Sequence, residues 1–182
     1  MTKQQWRTKY LALRKNMADS SQKSKKIAEK VLANDIKKQS HIFAYLSFAN
    51  EVDTHTIIRQ LLKWGITVSV PVCDIHTCTM TASQITDFSQ CKPNRYGILE
   101  PSTVIIPDKP FDMILVPGVV FSKKGHRIGF GKGYYDRFLS SLPNHPLKIG
   151  LCYDWQLTET LPHEPHDIVM DFIITDERIW RI

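Results

Sequence analysis

The chain has 182 residues and a mass of 21.0 kDa, with 42% apolar and 23% charged residues. A chain of this length can bury roughly 70% of its unfolded surface, so folding requires neither disulfides nor a structural metal. Gly and Pro together make up about a tenth of the residues, which excludes collagen-like and disordered compositions. The net charge of +6 is unevenly spread: residues 1–40 carry eleven Lys and Arg against Asp19, Glu29 and Asp35, and the remainder is slightly acidic. A basic excess confined to one segment argues against a long nucleic-acid groove and is compatible with a solvated helix face. Cys73, Cys78, Cys91 and Cys152 lack paired CxxC spacing, and the chain contains no apolar run of about 18 residues. These features predict a soluble, cytoplasmic protein with free thiols and no zinc.

From Thr2 to about Lys38 the chain is helix-prone. Trp6, Tyr10, Leu13 and Met17 mark one helical face, and a second helix carries Ile27, Val31 and Leu32 behind a cap at Ser20 or Ser21. His41–Leu46 is a short apolar run that predicts a buried strand, followed by a loop over residues 47–54. Asp53 or Thr54 caps a helix through Ile57, Ile58, Leu61 and Leu62, Gly65 stops it, and Ile66–Val72 is the next strand. Residues 73–110 contain five Pro or Gly punctuators and predict surface excursions with a strand near Thr77–Thr81. Strands follow at Phe111–Pro117, Leu147–Cys152 and Asp171–Thr175, with a helix over Tyr134–Leu142. The alternation predicts an α/β fold: one domain over residues 1–182, three layers (α/β/α), a mostly parallel Rossmann-like sheet, and N-terminal helices.

The loop before that last helix holds glycines at 118, 125, 129, 131 and 133. Gly129, Gly131 and Gly133 leave backbone amides unobstructed just before a helix N-terminus, which attracts anions. Arg127, Lys132 and Arg137 add positive charge beside that cradle. The run matches neither the Walker pattern nor GxGxxG, so an ordinary strand-to-helix connection also fits the spacing. Its position beyond a strand end favours a phosphate loop. Asp136, in the first helical turn, is either a dipole partner or a Mg²⁺ ligand, and Asp171 is either a strand-end cap or a second ligand. His163, Glu164 and His166 hint at metal ligands, but Pro162 and Pro165 preclude a metal-binding helix face, and they read as loop.

Three blocks, Pro117-Gly-Val-Val-Phe121, Gly125-x-Arg-Ile-Gly129 and Gly131-Lys-Gly-Tyr-Tyr-Asp-Arg137, resemble the signature of the 5-formyltetrahydrofolate cyclo-ligase family. Lys3-x-x-x-Arg7, Leu46–Thr54, Tyr96–Pro101 and Leu161–Thr175 follow in the family's order, so the resemblance covers nearly the whole chain. It implies an architecture like that of sugar-isomerase and CoA-transferase folds. It also implies a Mg²⁺-dependent enzyme that uses ATP as co-substrate to close 5-formyltetrahydrofolate to 5,10-methenyltetrahydrofolate, releasing ADP and phosphate. ATP contacts are implied for Lys3, Arg7, Arg127, Ile128, Gly129, Phe130, Gly131, Lys132, Gly133, Tyr134 and Tyr135. Folate contacts are implied for Leu46, Glu51, Phe130, Gly131, Lys132, Gly133 and Tyr134. Catalytic tasks are implied for Arg127, Lys132 and Tyr134, and metal ligation for Asp136 and Asp171.

The family's chemistry is phosphorylation of the formyl oxygen followed by attack of N10 on the activated carbon. Glu51 suits the pterin because a carboxylate accepts two parallel hydrogen bonds from its amino-amide edge. Ser122 stands where an Asp commonly follows the Phe, and Ile128 replaces a usual Leu. The implied partners are small molecules, reduced folate and ATP, with no nucleic acid or membrane and a monomeric chain. Two other readings remain open: an ATP-binding relative acting on another substrate, and a nucleic-acid module built on the basic helices.

Overall fold

The computed structural model of the chain describes residues 1–33 and 40–182. The expected helical continuation to Lys38, with Lys37 and Lys38 themselves, lies outside the described residues. The chain opens with α1 (Lys3–Lys15) and α2 (Ser20–Leu32). Thr2 and Gln5 start α1 by exchanging side-chain bonds with each other's backbone N–H groups, at 2.8 and 3.2 Å, so two end donors are satisfied. Met17, expected on the first helix, falls past its end. Neither Ser20 nor Ser21 caps α2: the cap position is Asp19, with φ of 61° and no side-chain cap bond.

Next come β1 (His41–Ala44), α3 (His55–Lys63), β2 (Thr67–Asp74) and β3 (Thr79–Ile85). Asp53 does the capping at α3, accepting the His55 N–H at 3.0 Å and the Thr56 hydroxyl at 2.7 Å, while the Thr54 hydroxyl turns inward to the Tyr45 carbonyl. β3 is longer and later than the strand expected near Thr77–Thr81, because it pairs antiparallel with β2 over its full length. The stretch expected as surface excursions also holds a hairpin, β4 (Cys91–Pro93) with β5 (Leu99–Pro101). The remaining elements are β6 (Met113–Val116), β7 (Val120–Ser122), β8 (Arg127–Ile128), α4 (Tyr134–Ser141), β9 (Leu147–Leu151), β10 (Leu157–Thr158), β11 (Phe172–Ile174) and β12 (Ile179–Arg181).

The main sheet has seven strands in the order β12-β11-β9-β6-β1-β2-β3, with the five inner strands parallel and both edges antiparallel. Alternation along the strands builds two cores. Ile42 and Ala44 of β1 face Ile27 and Val31 of α2 and Ile57, Ile58 and Leu61 of α3. Phe43 points the other way, onto Phe138 of α4 and Phe111. The expected three-layer α/β fold with a mostly parallel sheet is therefore observed. One outer layer is shared between α4 and a small sheet, β10-β7-β8, which the sequence did not announce. Helix α1 packs on that small sheet, with Tyr10 against Val119, Val120 and Ile128. Fully buried Phe121 locks the small sheet to the main one: a Cβ on Gly118 or Gly150 would stand 2.5 or 2.4 Å from its ring. Among the described residues no helix is long and apolar enough to cross a membrane.

Candidate functional site

A cavity of about 590 Å³ lies beside the carboxyl ends of β1, β2 and β6, where ligands of open α/β sheets sit. Its walls bring together segments far apart in sequence. Lys3 and Arg7 come from α1, Leu46 and Glu51 from the β1–α3 connection, and residues 127–136 from β8, the glycine loop and the start of α4. All the residues for which the resemblance implies a nucleotide, folate, catalytic or metal role line this cavity except Asp171. Tyr45 and Phe48 line it too, whereas Trp155 stacks on Tyr10 at 5.9 Å and donates its indole N–H to the Met17 sulfur.

The glycine loop is fixed by its backbone and by two arginines. Gly131 and Gly133 have φ of +96° and +66°, conformations that disfavour any side chain. A Cβ on Gly131 would also stand 3.1 Å from Cζ of Arg7, whose Nε donates to the Gly129 carbonyl at 2.7 Å. Helix α1 is thus fastened to the loop through Arg7. Arg137, expected to add charge beside the cradle, instead turns back to donate to the Lys132 carbonyl at 2.6 Å and to the Cys78 carbonyl. It braces the loop and does not line the cavity. Lys132 is exposed at the loop tip, and the Tyr134 hydroxyl donates to the Asp74 carbonyl at 3.3 Å.

Arg127 is the buried cation of the site. Its Nη2 donates to Asp136 at 2.9 Å, its guanidinium lies 5.6 Å from the Tyr135 ring centroid, and its Nε has no hydrogen-bond partner. Burial works to lower its affinity for a proton and Asp136 opposes this, so it stays charged. The buried Tyr135 hydroxyl also lacks a partner, and burial pushes its pKa well above the ordinary tyrosine value. Two buried polar groups without a protein partner beside one cavity are suited to meet a polar ligand.

Asp171 is not brought to the site. It precedes β11, at the opposite end of the parallel strands, where its carboxylate accepts the Lys148 N–H at 2.7 Å and pairs with the Lys148 ammonium at 2.8 Å. The carboxylate that does approach Asp136 is Asp167: the two line the same cavity, and the N–H of Ile168 reaches Asp136 at 3.4 Å. Burial alone would raise the Asp167 pKa, but hydrogen bonds from the Lys3 ammonium at 2.6 Å and from the Glu164 N–H hold it below the usual carboxylate range. Among the described residues no group of three or more His, Cys, Asp and Glu side chains forms a metal cage. Two hard carboxylates beside a phosphate-type cradle nevertheless fit Mg²⁺, which takes one or two carboxylates and completes its shell with phosphate oxygens and water.

Across the cavity, Glu51 is partly buried and accepts the Phe48 N–H at 3.0 Å. Burial pushes its pKa up, while that N–H and the charge of Arg14 pull it back. Burial and Glu100 push the Cys73 thiol up to about 11, so the cysteine that lines the cavity is a neutral wall and not a nucleophile. Glu164, His166 and Asp167, read from the sequence as plain loop or left unremarked, belong to the site. The sequence signal that could have found them is a cluster of polar, charge-bearing residues around Pro162 and Pro165, with no helical or strand period to employ them elsewhere. Arg14 carried no signal that set it apart from ten other basic neighbours.

The comparisons agree with this geometry. The model of the 5-formyltetrahydrofolate cyclo-ligase family matches residues 1–176. A probable 5-formyltetrahydrofolate cyclo-ligase of Caenorhabditis elegans is 30% identical over 170 residues, covering 86% of this chain and 82% of the relative. The Escherichia coli K12 5-formyltetrahydrofolate cyclo-ligase is 32% identical over 146 residues, covering 76% and 79%. The solution structure of Aquifex aeolicus 5,10-methenyltetrahydrofolate synthetase superposes with a TM-score of 0.83 at 29% identity, covering 100% of this chain and 93% of that one. With a family match over nearly all of its length, and a cavity lined by the residues that carry the signature, this chain belongs to the 5-formyltetrahydrofolate cyclo-ligase family.

Proposed function

We propose that residues 1–182 act as one domain that, in the presence of Mg²⁺, converts 5-formyltetrahydrofolate and ATP to 5,10-methenyltetrahydrofolate, ADP and phosphate. The observation that carries this reading is the shared cavity, in which a cationic glycine loop faces Glu51 and Leu46 across one space of about 590 Å³. In this reading Arg127 and the glycine-loop amides bind the triphosphate, with Lys3 and Arg7 closing over it from α1. Glu51 accepts the two pterin N–H groups, Leu46 packs the ring, and Phe130 and Tyr134 separate the folate from the nucleotide. The formyl oxygen, made more basic by the amide nitrogen, attacks the γ-phosphorus as the bond to ADP breaks. N10 then adds to the formyl carbon, and the carbon–oxygen bond breaks as phosphate leaves with the N10 proton. In the same reading Lys132 and Arg127 meet the charge that moves through the transferring group, and the Tyr134 hydroxyl orients the formyl end.

Asp136 and Asp167 would hold the Mg²⁺, which when bound neutralises charge on the β- and γ-phosphates. The same reading takes the protein as a cytoplasmic monomer with small-molecule partners, neither a nucleic acid nor a membrane among them. Incubation with 5-formyltetrahydrofolate, Mg²⁺ and ATP is expected to generate the near-ultraviolet absorbance of methenyltetrahydrofolate, with one ADP released per product. No absorbance change while a known cyclo-ligase turns over in parallel overturns the proposal. ADP release with a different acceptor identifies the chain as an ATP-dependent relative acting on another substrate. Affinity for duplex DNA that falls by about 0.9 log units per log unit of salt for each phosphate neutralised supports the nucleic-acid alternative.

A further inference from the structure

Arg14 lies in the last turn of α1 and is only 6% exposed, although the helix as a whole is a basic surface element. Among the described residues its guanidinium forms no ion pair, and it does not line the cavity. Taking such a cation out of water is costly unless something replaces the solvent. Two features of the cavity wall do so. The guanidinium sits 5.4 Å from the ring centroid of Phe130 in the glycine loop, and its positive charge favours the ionised form of Glu51. The backbone reinforces the placement: the Arg14 carbonyl accepts the Asn50 amide at 2.9 Å, and the carbonyl of Glu51 accepts the Tyr153 hydroxyl at 3.2 Å. The C-terminal turn of α1 therefore touches both halves of the site, the glycine loop on one side and the Glu51 loop on the other.

We propose that Arg14 is a positioning residue for folate, holding Phe130 of the glycine loop with its guanidinium face while presenting positive charge to Glu51. The proposal rests on the functional reading above, in which Glu51 must be ionised to accept the pterin N–H groups. Burial favours the neutral acid at Glu51, and Arg14 and the Phe48 N–H oppose it. The other titratable groups near Glu51 are the phenols of Tyr45, beyond β1, of Tyr135, on α4, and of Tyr153, whose hydroxyl donates to the Glu51 carbonyl. Burial pushes all three phenols above the ordinary tyrosine value, so they stay neutral. Lys25 and Asp53 lie with Glu51 around a second, smaller cavity between α2 and the start of α3. Arg14 is the cation whose loss leaves Glu51 with the Phe48 N–H as its remaining named support.

The test is steady-state kinetics of the full chain across pH, with separate saturation curves for 5-formyltetrahydrofolate and ATP. For Arg14→Gln the folate KM at pH 7 is expected to rise about tenfold, the size of one lost cation–π or charge-assisted contact. The ATP KM should stay within about twofold, and the acid limb of kcat/KM for folate should move to higher pH. Arg14→Lys keeps the charge without the planar stack, so it should restore the acid limb and recover only part of the KM. Phe130→Leu should raise the folate KM without moving that limb, and adding Arg14→Lys to it should cost nothing further. If Arg14→Gln does not fold, the Arg14→Lys and Phe130→Leu series decides alone. Folate KM and pH profile identical to the parent's overturn the inference while leaving the functional reading intact. Equal rises in both KM values with an unmoved acid limb also overturn it, since that is the signature of a purely structural arginine. A parent protein that makes no methenyltetrahydrofolate takes both down.

Discussion

Replacing Asp136 with Ala separates a structural role from a functional one, because the carboxylate serves both. In the folded chain it accepts from Arg127 at 2.9 Å, with the two side chains 24% and 5% exposed respectively. The Arg127 Nε already lacks a partner, so removing the carboxylate strands a buried cation more completely. Breaking a buried ion pair from one side costs about 3–5 kcal/mol. Asp136 is a quarter exposed, so water can enter in its place, and we expect about 2 kcal/mol. At about 2–4 °C per kcal/mol for a domain of this size, the melting temperature should fall by about 4–8 °C in calorimetry. The double change Asp136→Ala with Arg127→Met should recover most of that loss, since the uncompensated charge goes too, yet it should recover no activity. Independently, the Mg²⁺ concentration needed for half-maximal turnover should rise at least tenfold in Asp136→Ala, or turnover should vanish. A melting temperature within 1 °C of the parent's, together with an unchanged Mg²⁺ requirement, refutes both roles at once.

Gly131→Ala forces a side chain onto a backbone at φ +96° and puts its Cβ 3.1 Å from Cζ of Arg7. We expect about 1–3 kcal/mol of destabilisation, measured by urea titration, and a raised ATP KM because Arg7 must leave the Gly129 carbonyl; an ATP KM equal to the parent's refutes the fastening role of Arg7. His41 supplies a pH test of the fold itself. It is 1% exposed, with Nδ1 against the Lys109 carbonyl at 3.1 Å and Nε2 against the Ser69 hydroxyl at 2.8 Å. Burial lowers its pKa below the ordinary histidine value, and neighbouring carbonyls and carboxylates recover only part of that. In the unfolded chain the imidazole binds a proton near pH 6.5 that the folded one refuses. Its stabilising share is therefore present above about pH 6.5 and lost as pH falls through the folded pKa. His41→Gln should flatten that stretch of the stability–pH curve, and an unchanged slope refutes the assignment.

Much of the fold was legible because its signals are local. The apolar runs at β1, β2, β6 and β9 are inner strands of a parallel sheet buried on both faces, which is why they read as nearly continuous hydrophobic segments. The glycine loop was legible for the same reason: Gly131 and Gly133 announce backbone conformations that follow from their own φ values. Strands β7, β8 and β10 gave no such signal: each is two or three residues long, β8 folds straight back onto β7, and β10 is held by a partner far off in the chain, Leu157 with Phe121. Asp171 shows the limit from the other side. A strand-edge carboxylate in the family's closing segment has the right chemistry for a metal, but three residues of chain separate it from Asp167, and it sits at the opposite end of the parallel strands from the cavity.

The sequence by itself determined the layer order, the presence of an anion-attracting loop before α4, and the family to which its blocks belong, because each of these depends on residues close together in the chain. Only the tertiary structure decided which charges work where. It turned Arg137 away from the cradle, brought Asp167 to Asp136, and took Arg14 out of the basic surface to lie behind Glu51 and Phe130. Charge on a residue is written in the chain, but its task depends on what it is buried against, and that is fixed only when distant segments pack.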